Sequence, residues 1–264
     1  MRAPRLLLRV VPVAVLVAGC ATPGPGPAGG PDGECVGESG RAITILAASS
    51  VSGLFGASRE GFIEDDPCVD DVRFSFGSSA TLAGQVVNGI PADVFISASG
   101  ATMDTVIDAG LAVGEPVLFA RNVAAIMVST RTTVPISALG DLAGSALTVG
   151  LCVATAPCGK LADAVLAKAG TDRAKVVDTE AASVEDLVTK IDAGELDAGI
   201  VYGSDCATAR ESVRCVSIPS DQNSTTEYFA AALTESSSAT RWLALMTSDS
   251  FQRRLTDDFG FLAP

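Results

Sequence analysis

From residue 41 onward, short apolar runs alternate with stretches of helical period, and most of the helical stretches stop at a glycine. The apolar runs predict strands at 43–48, 72–76, 93–97, 123–128, 146–149, 176–177, 198–202 and 229–233. Between them, helices are expected at 53–62, 80–88, 101–109, 159–169 and 184–193, with Gly89, Gly110, Gly170 and Gly194 as stop signals. A closing amphipathic helix is expected over 240–257, with Trp242 in its core face. Strands alternating with helices define an α/β fold, and no internal repeat is visible.

Residues 1–40 follow another pattern. Arg2, Arg5 and Arg9 precede an apolar run over 6–18 that is too short to span a bilayer, as in a secretory leader. The run ends Val17-Ala18-Gly19-Cys20, which resembles a lipoprotein signal, so 1–19 is read as leader and Cys20 as the acylated residue. Ordinary cleavage leaving a free Cys20 is the plainer alternative. Residues 21–40 are rich in Gly and Pro and cannot bury a core, so 20–40 reads as a tether. Its glycine spacing is no nucleotide fingerprint, because no strand precedes it and no helix follows. The protein is therefore expected on the outer face of the cytoplasmic membrane, held by its lipid.

Cysteine usage agrees with export. Beyond Cys20 there are six: Cys35, Cys68, Cys152, Cys158, Cys206 and Cys215. An even number in an oxidising compartment suggests three disulfides. Proximity favours Cys152–Cys158 and Cys206–Cys215, which leaves Cys35–Cys68. A zinc site is the rival, weakened by the absence of CxxC and of any histidine. The lack of histidine also removes Ser-His-Asp and Cys-His catalysis. A net charge of −13 excludes nucleic acid as a partner.

Candidate chemistry sits where strands run into helices. Ser49-Ser50, Ser78-Ser79, the loop from Gly150 to Gly159, and Ser183-Val184 each end a strand and open a helix. Such junctions present unpaired amides, and two of them add paired serine hydroxyls. In open α/β sheets these strand ends line the ligand crevice, where several would hold an anion without any cation. The plainer reading of each serine is an N-cap.

The segments ITILAASSV, FGSSATLAGQVVNGIPADVFISAS, GIVYGSD and FGFL resemble the molybdate-binding proteins of molybdate ABC transporters, with PADVFISAS, from Pro91 to Ser99, the most specific. The likeness runs from about Arg41 to the C-terminus. It implies a two-lobed periplasmic-binding-protein fold (type 2), each lobe a sheet flanked by helices, joined by a two-crossing hinge. The lobes are expected at 41–122 plus 229–264 and at 123–228, with crossings near 121–127 and 227–232. It also implies an oxyanion site at Ser50, Ser79, Cys158, Val184 and Tyr202, the first two and the tyrosine through hydroxyls and the others through backbone amides. The ligand is then molybdate or tungstate, with no cofactor and no free metal cation. The partners are the permease and ATPase of an importer, and the protein is expected to be a monomer. The loop GLCVATAP at 150–157 departs from the family's Gly-Asp-Pro start, which puts Cys158 in more doubt than the serines.

Rival readings are a binding protein for sulfate or another anion, a surface sensor lipoprotein, and an enzyme using a Ser–Lys pair with Lys160, against which no enzyme activity is expected. Gly159-Lys160 lacks the rest of a P-loop. Glu64-Asp65-Asp66 with Asp70-Asp71 lacks calcium-loop spacing. Asn223-Ser224-Thr225 matches a glycosylation acceptor and reads as a polar loop.

Overall fold

The computed structural model describes residues 41–144 and 146–264. β1 (Arg41–Ala48) is buried on both faces over its last four residues, as its unbroken apolar run requires. It pairs in parallel with β2 (Val69–Gly77) and β3 (Val94–Ser97). The connections are α1 (Ser52–Asp65) and α2 (Ser79–Val87), and α3 (Gly100–Asp108) follows β3.

The next strand, β4 (Val113–Ser129), has 17 residues, about three times the usual strand length. That length lets it serve two sheets. As far as Val123 it pairs antiparallel with β9 (Thr225–Ala232). From Ala124 onward it pairs with β7 (Ala198–Tyr202) and with β8 (Val213–Ser217). The second sheet continues through β5 (Val149–Cys152), parallel to β7, to the edge strand β6 (Thr179–Ala181). Helices α4 (Pro157–Lys168), α5 (Val184–Ala193) and α6 (Gly203–Ala207) belong to this half.

The chain then returns to the first sheet, where β9 slots between β3 and β4. Asn223, just before β9, fixes the two crossings together. Its amide accepts from the Ala124 N–H at 3.0 Å and donates to the Ala124 carbonyl at 2.9 Å. This engagement accounts for Asn223 as a structural residue. The result is two lobes, each a sheet flanked by helices, with β4 and the segment before β9 as the connections. α7 (Ser237–Met246) and α8 (Asp249–Asp257) close the first lobe. Fully buried Trp242 meets Phe55 and Phe62 edge-on, with ring centroids 5.5 and 4.7 Å away.

Several elements differ from the expected pattern. The strand expected at 176–177 lies at Thr179–Ala181, because Val176 is buried just after a 3-10 turn over Arg173–Lys175 and never joins the sheet. The strand expected at 146–149 only begins at Val149. The single closing helix is two, because Ser248 accepts from the Phe251 N–H and starts a new helix. The first half of β4 and all of β8 had no predicted counterpart. Gly114 and Pro116 mask the former, and β8 (VRCVS) is mostly solvent-facing.

Both disulfides expected from proximity are formed, Cys152–Cys158 and Cys206–Cys215. Cys68 is disulfide-bonded as well. The expectations for Cys35, Cys20, the leader and the tether lie outside the described residues. Among the described residues no helix is long and apolar enough to cross a membrane.

Candidate functional site

The ends of β1, β2, β5 and β7 converge on the cleft between the lobes. β1, β2 and β7 run into helical turns almost at once, β5 reaches its helix through the loop 153–156, and β6 adds Ser183 and Val184, so the cleft is lined by the turns and the first residues of helices. A small, partly open cavity of about 10 Å³ lies there. That volume is on the order of what one water molecule needs. Its lining includes Ser50, Ser79, Cys158, Val184 and Tyr202, all five of the residues expected to hold an anion. No lining residue carries a charge.

Ser50 sits in the 3-10 turn Ser49–Val51 between β1 and α1 and caps neither helical segment with its side chain. Its hydroxyl is instead 2.9 Å from the hydroxyl of Tyr228. Ser79 opens α2, and the N-cap before it, Ser78, makes no side-chain cap. Ser79 Oγ accepts from the Ala98 N–H at 3.0 Å. One lone pair is thus engaged from behind, and the hydroxyl hydrogen is free for the cavity. Ser183 differs: it is a true cap, accepting from the Asp186 N–H at 3.2 Å.

Cys158 and Val184 lie in the first turns of α4 and α5, where backbone N–H groups have no intrahelical acceptor. The positive ends of both helix dipoles therefore face the cavity. The departure at 150–157 leaves this geometry in place through three devices. The Cys152–Cys158 disulfide ties the end of β5 to the start of α4. Gly159 permits the loop to pass close by, since an added Cβ would lie 2.1 Å from the Val153 carbonyl oxygen. Arg173 donates to the Cys152 carbonyl and bridges Asp163 and Glu180 at 2.8 and 2.7 Å.

Tyr202 ends β7, fully buried, and its own N–H donates to Asp205 at 2.9 Å. Its ring meets that of Tyr228 edge-on, centroids 5.9 Å apart. The chain has two tyrosines, and they meet here. Burial raises both phenols well above their ordinary range, so both are neutral donors. Behind them lies a buried polar pair: Asn122 donates to Ser204 Oγ at 2.8 Å. Sequence reasoning missed Tyr228, Asn122 and Ser204. The scarcity of tyrosine was the one available signal.

A larger cavity of about 310 Å³ adjoins the first and shares Ser49 and Ser50. Glu185, Asp192, Asp205 and Arg210 line it, Arg210 pairing with Asp192 at 3.3 Å, so it mixes charges where the smaller cavity has none. Asp205 is pushed up to about 7, chiefly by burial and also by nearby Glu185, against the opposing hydrogen bond from the Tyr202 N–H. Other candidates fall to ordinary roles. Asp71 pairs with Arg59 and Arg73. Asp66 pairs with Arg241 at 2.8 Å. No group of three or more potential metal ligands occurs among the described residues.

Two lobes around a small cleft cavity are the architecture of a protein that captures a solute between them. Residues 43–262 match the model of the bacterial extracellular solute-binding proteins, and the chain belongs to that family. Within it, the chain is 35% identical over 255 residues to the molybdate-binding protein ModA of Mycobacterium tuberculosis, covering 95% of each sequence. Two solved structures share the fold. The periplasmic molybdate-binding protein of Azotobacter vinelandii superposes with a TM-score of 0.73 at 19% identity, over 84% of this chain and 99% of that one. The sulfate-binding protein SubI of Mycobacterium tuberculosis does so at 0.72 and 19% identity, over 83% and 86%.

Proposed function

We propose that this protein captures molybdate outside the cell and delivers it to the permease and ATPase of an ABC importer, with tungstate as a second ligand. Ser50, Ser79 and Tyr202 would donate through hydroxyls, and Cys158 and Val184 through backbone amides. The observation that carries this reading is that these five residues, drawn from both lobes, line one uncharged cavity. The kinship with ModA supports the choice of ion. Binding rather than catalysis is the reading, since the family captures solutes. We further propose that Cys20 carries a lipid anchor and that the protein works as a monomer.

Capture follows from the chemistry of the lining. Molybdate, tungstate and sulfate are fully ionised near neutral pH and require donors only, which neutral N–H and O–H groups provide. Donors contributed from both lobes are all engaged only when the lobes close, so occupancy and the shape offered to the permease are linked. Water excluded at closure strengthens each hydrogen bond. Discrimination against sulfate rests on cavity size.

Calorimetry and thermal shift with molybdate, tungstate, sulfate and phosphate test this directly. Ligand at about a thousand times its dissociation constant should add roughly 4 kcal/mol of stability. Ser50→Ala and Ser79→Ala should each weaken molybdate binding by about 1.5–3 kcal/mol, the scale of a hydrogen bond to a charged group, while the apo proteins stay folded. Sulfate binding tighter than molybdate would transfer the assignment to that ion. Phosphate binding tightest would end the donor-only account.

A further inference from the structure

Of the two cavity serines, Ser79 is the one whose hydrogen-bond direction is fixed by geometry. The Ala98 N–H donates to Ser79 Oγ at 3.0 Å. An amide can only donate, so the serine oxygen accepts and its own hydrogen is left for the cavity. Ala98 is buried, directly follows β3 and lines the cavity beside Ser79.

Ala98 is itself braced from two directions. Ser97 Oγ closes the turn around it, donating to the Ser99 carbonyl at 2.8 Å and accepting from the Ser99 N–H at 3.2 Å. Thr226 reaches in from a distant part of the chain, and its hydroxyl donates to the Ala98 carbonyl at 2.6 Å. Thr226 pairs with Asn122, next to the last pair that β4 makes with β9 before it turns to the second sheet. A line of bonds therefore runs from the crossing between the lobes, through Ala98, to a serine of the cavity. Thr226 stands outside the cavity lining.

We propose that Thr226 is a positioning residue that braces Ala98 and so holds Ser79 as a donor toward the bound oxyanion. This rests on the reading of the cavity as an oxyanion site. Without the Thr226 hydroxyl the Ala98 carbonyl is left buried and unpaired, a cost that a rotation of the adjoining peptide relieves. The Ala98 N–H shifts with it. The Ser79 oxygen then loses its fixed donor, and its hydroxyl is free to turn away from the anion.

The test is calorimetry of the full chain with molybdate. Thr226→Val removes the hydroxyl at nearly unchanged shape, and Thr226→Ser keeps it. We expect Thr226→Val to weaken molybdate binding about tenfold, a change of roughly 1.4 kcal/mol, and Thr226→Ser to bind as the wild type does. In a Ser79→Ala background Thr226→Val should cost nothing further. No loss in Thr226→Val, an equal loss in Thr226→Ser, or the same loss without the Ser79 hydroxyl would each overturn the proposal. A wild-type protein that fails to bind molybdate would instead defeat the oxyanion reading itself. A crystal structure of the wild-type molybdate complex decides the case even where a variant fails to fold. Thr226 on the Ala98 carbonyl and the Ala98 N–H on Ser79 Oγ support the proposal, whereas an Ala98 N–H directed at the anion overturns it.

Discussion

Asp205 shows how a single residue can record the closeness of the site. It is only part-exposed, faces Glu185, and gains one hydrogen bond from the Tyr202 N–H. Burial outweighs that bond and lifts the carboxyl from 3.8 to about 7. The folded protein therefore holds a proton that the unfolded chain releases near pH 4. The stabilisation this represents is complete below about pH 4 and disappears as pH rises through 7, within the limits set by solvent screening of a part-exposed group. Asp205→Asn keeps an acceptor for the Tyr202 N–H and removes the titration. Its melting temperature should fall less between pH 4 and 8 than that of the wild type, and parallel profiles would sink the assignment. The same scale separates the readable residues from the unreadable ones. Ser50 and Ser79 announce themselves by standing in pairs at strand ends, whereas Tyr228 looks like an ordinary strand tyrosine. What distinguishes Tyr228 is the company of Asn122, Ser50 and Tyr202, residues far apart in sequence.

At the scale of elements, what decides the site is how each strand enters its helix. α5 and β7 begin and end where the periodicity put them, because strong apolar spacing and the left-handed Gly194 cap leave no alternative. The polar edge strand β6 and the exposed β8 carry no such signal, since their place is set by the neighbours they pair with. The β5–α4 entry is the tightest of the junctions. A side chain at position 159 would lie 2.1 Å from the Val153 oxygen and 2.9 Å from the Cys152 oxygen, both backbone. Gly159→Ala must therefore move the loop that carries the Cys158 amide. We expect a loss of about 1–3 kcal/mol in stability and weaker molybdate binding. Gly56→Ala in α1 meets nothing within 4 Å and serves as the control, neutral or slightly stabilising. Equal melting temperatures for the Gly159 variant and the wild type would show that the disulfide loop yields more easily than its geometry implies.

For the molecule as a whole, the alternation of strands and helices was enough to define an α/β fold. It was not enough to reveal that β4 is shared. A 17-residue strand interrupted by Gly114 and Pro116 reads as two unrelated pieces until both of its partners are known. The insertion of β9 between β3 and β4 has a consequence of its own for how the chain matures. A polypeptide delivered N-terminus first has every strand of the second sheet in hand by Ser217, while the first sheet still has a gap at its centre until Thr225–Ala232 arrives. The half that begins first should therefore be finished last, leaving the chain unable to complete its fold until nearly all of it has emerged. A chain truncated after Asp221 should protect the amides of β5 and β7 against hydrogen exchange and leave those of β1 and β3 open. Equal protection in both would mean that the late strand is an addition to a finished sheet rather than its missing keystone.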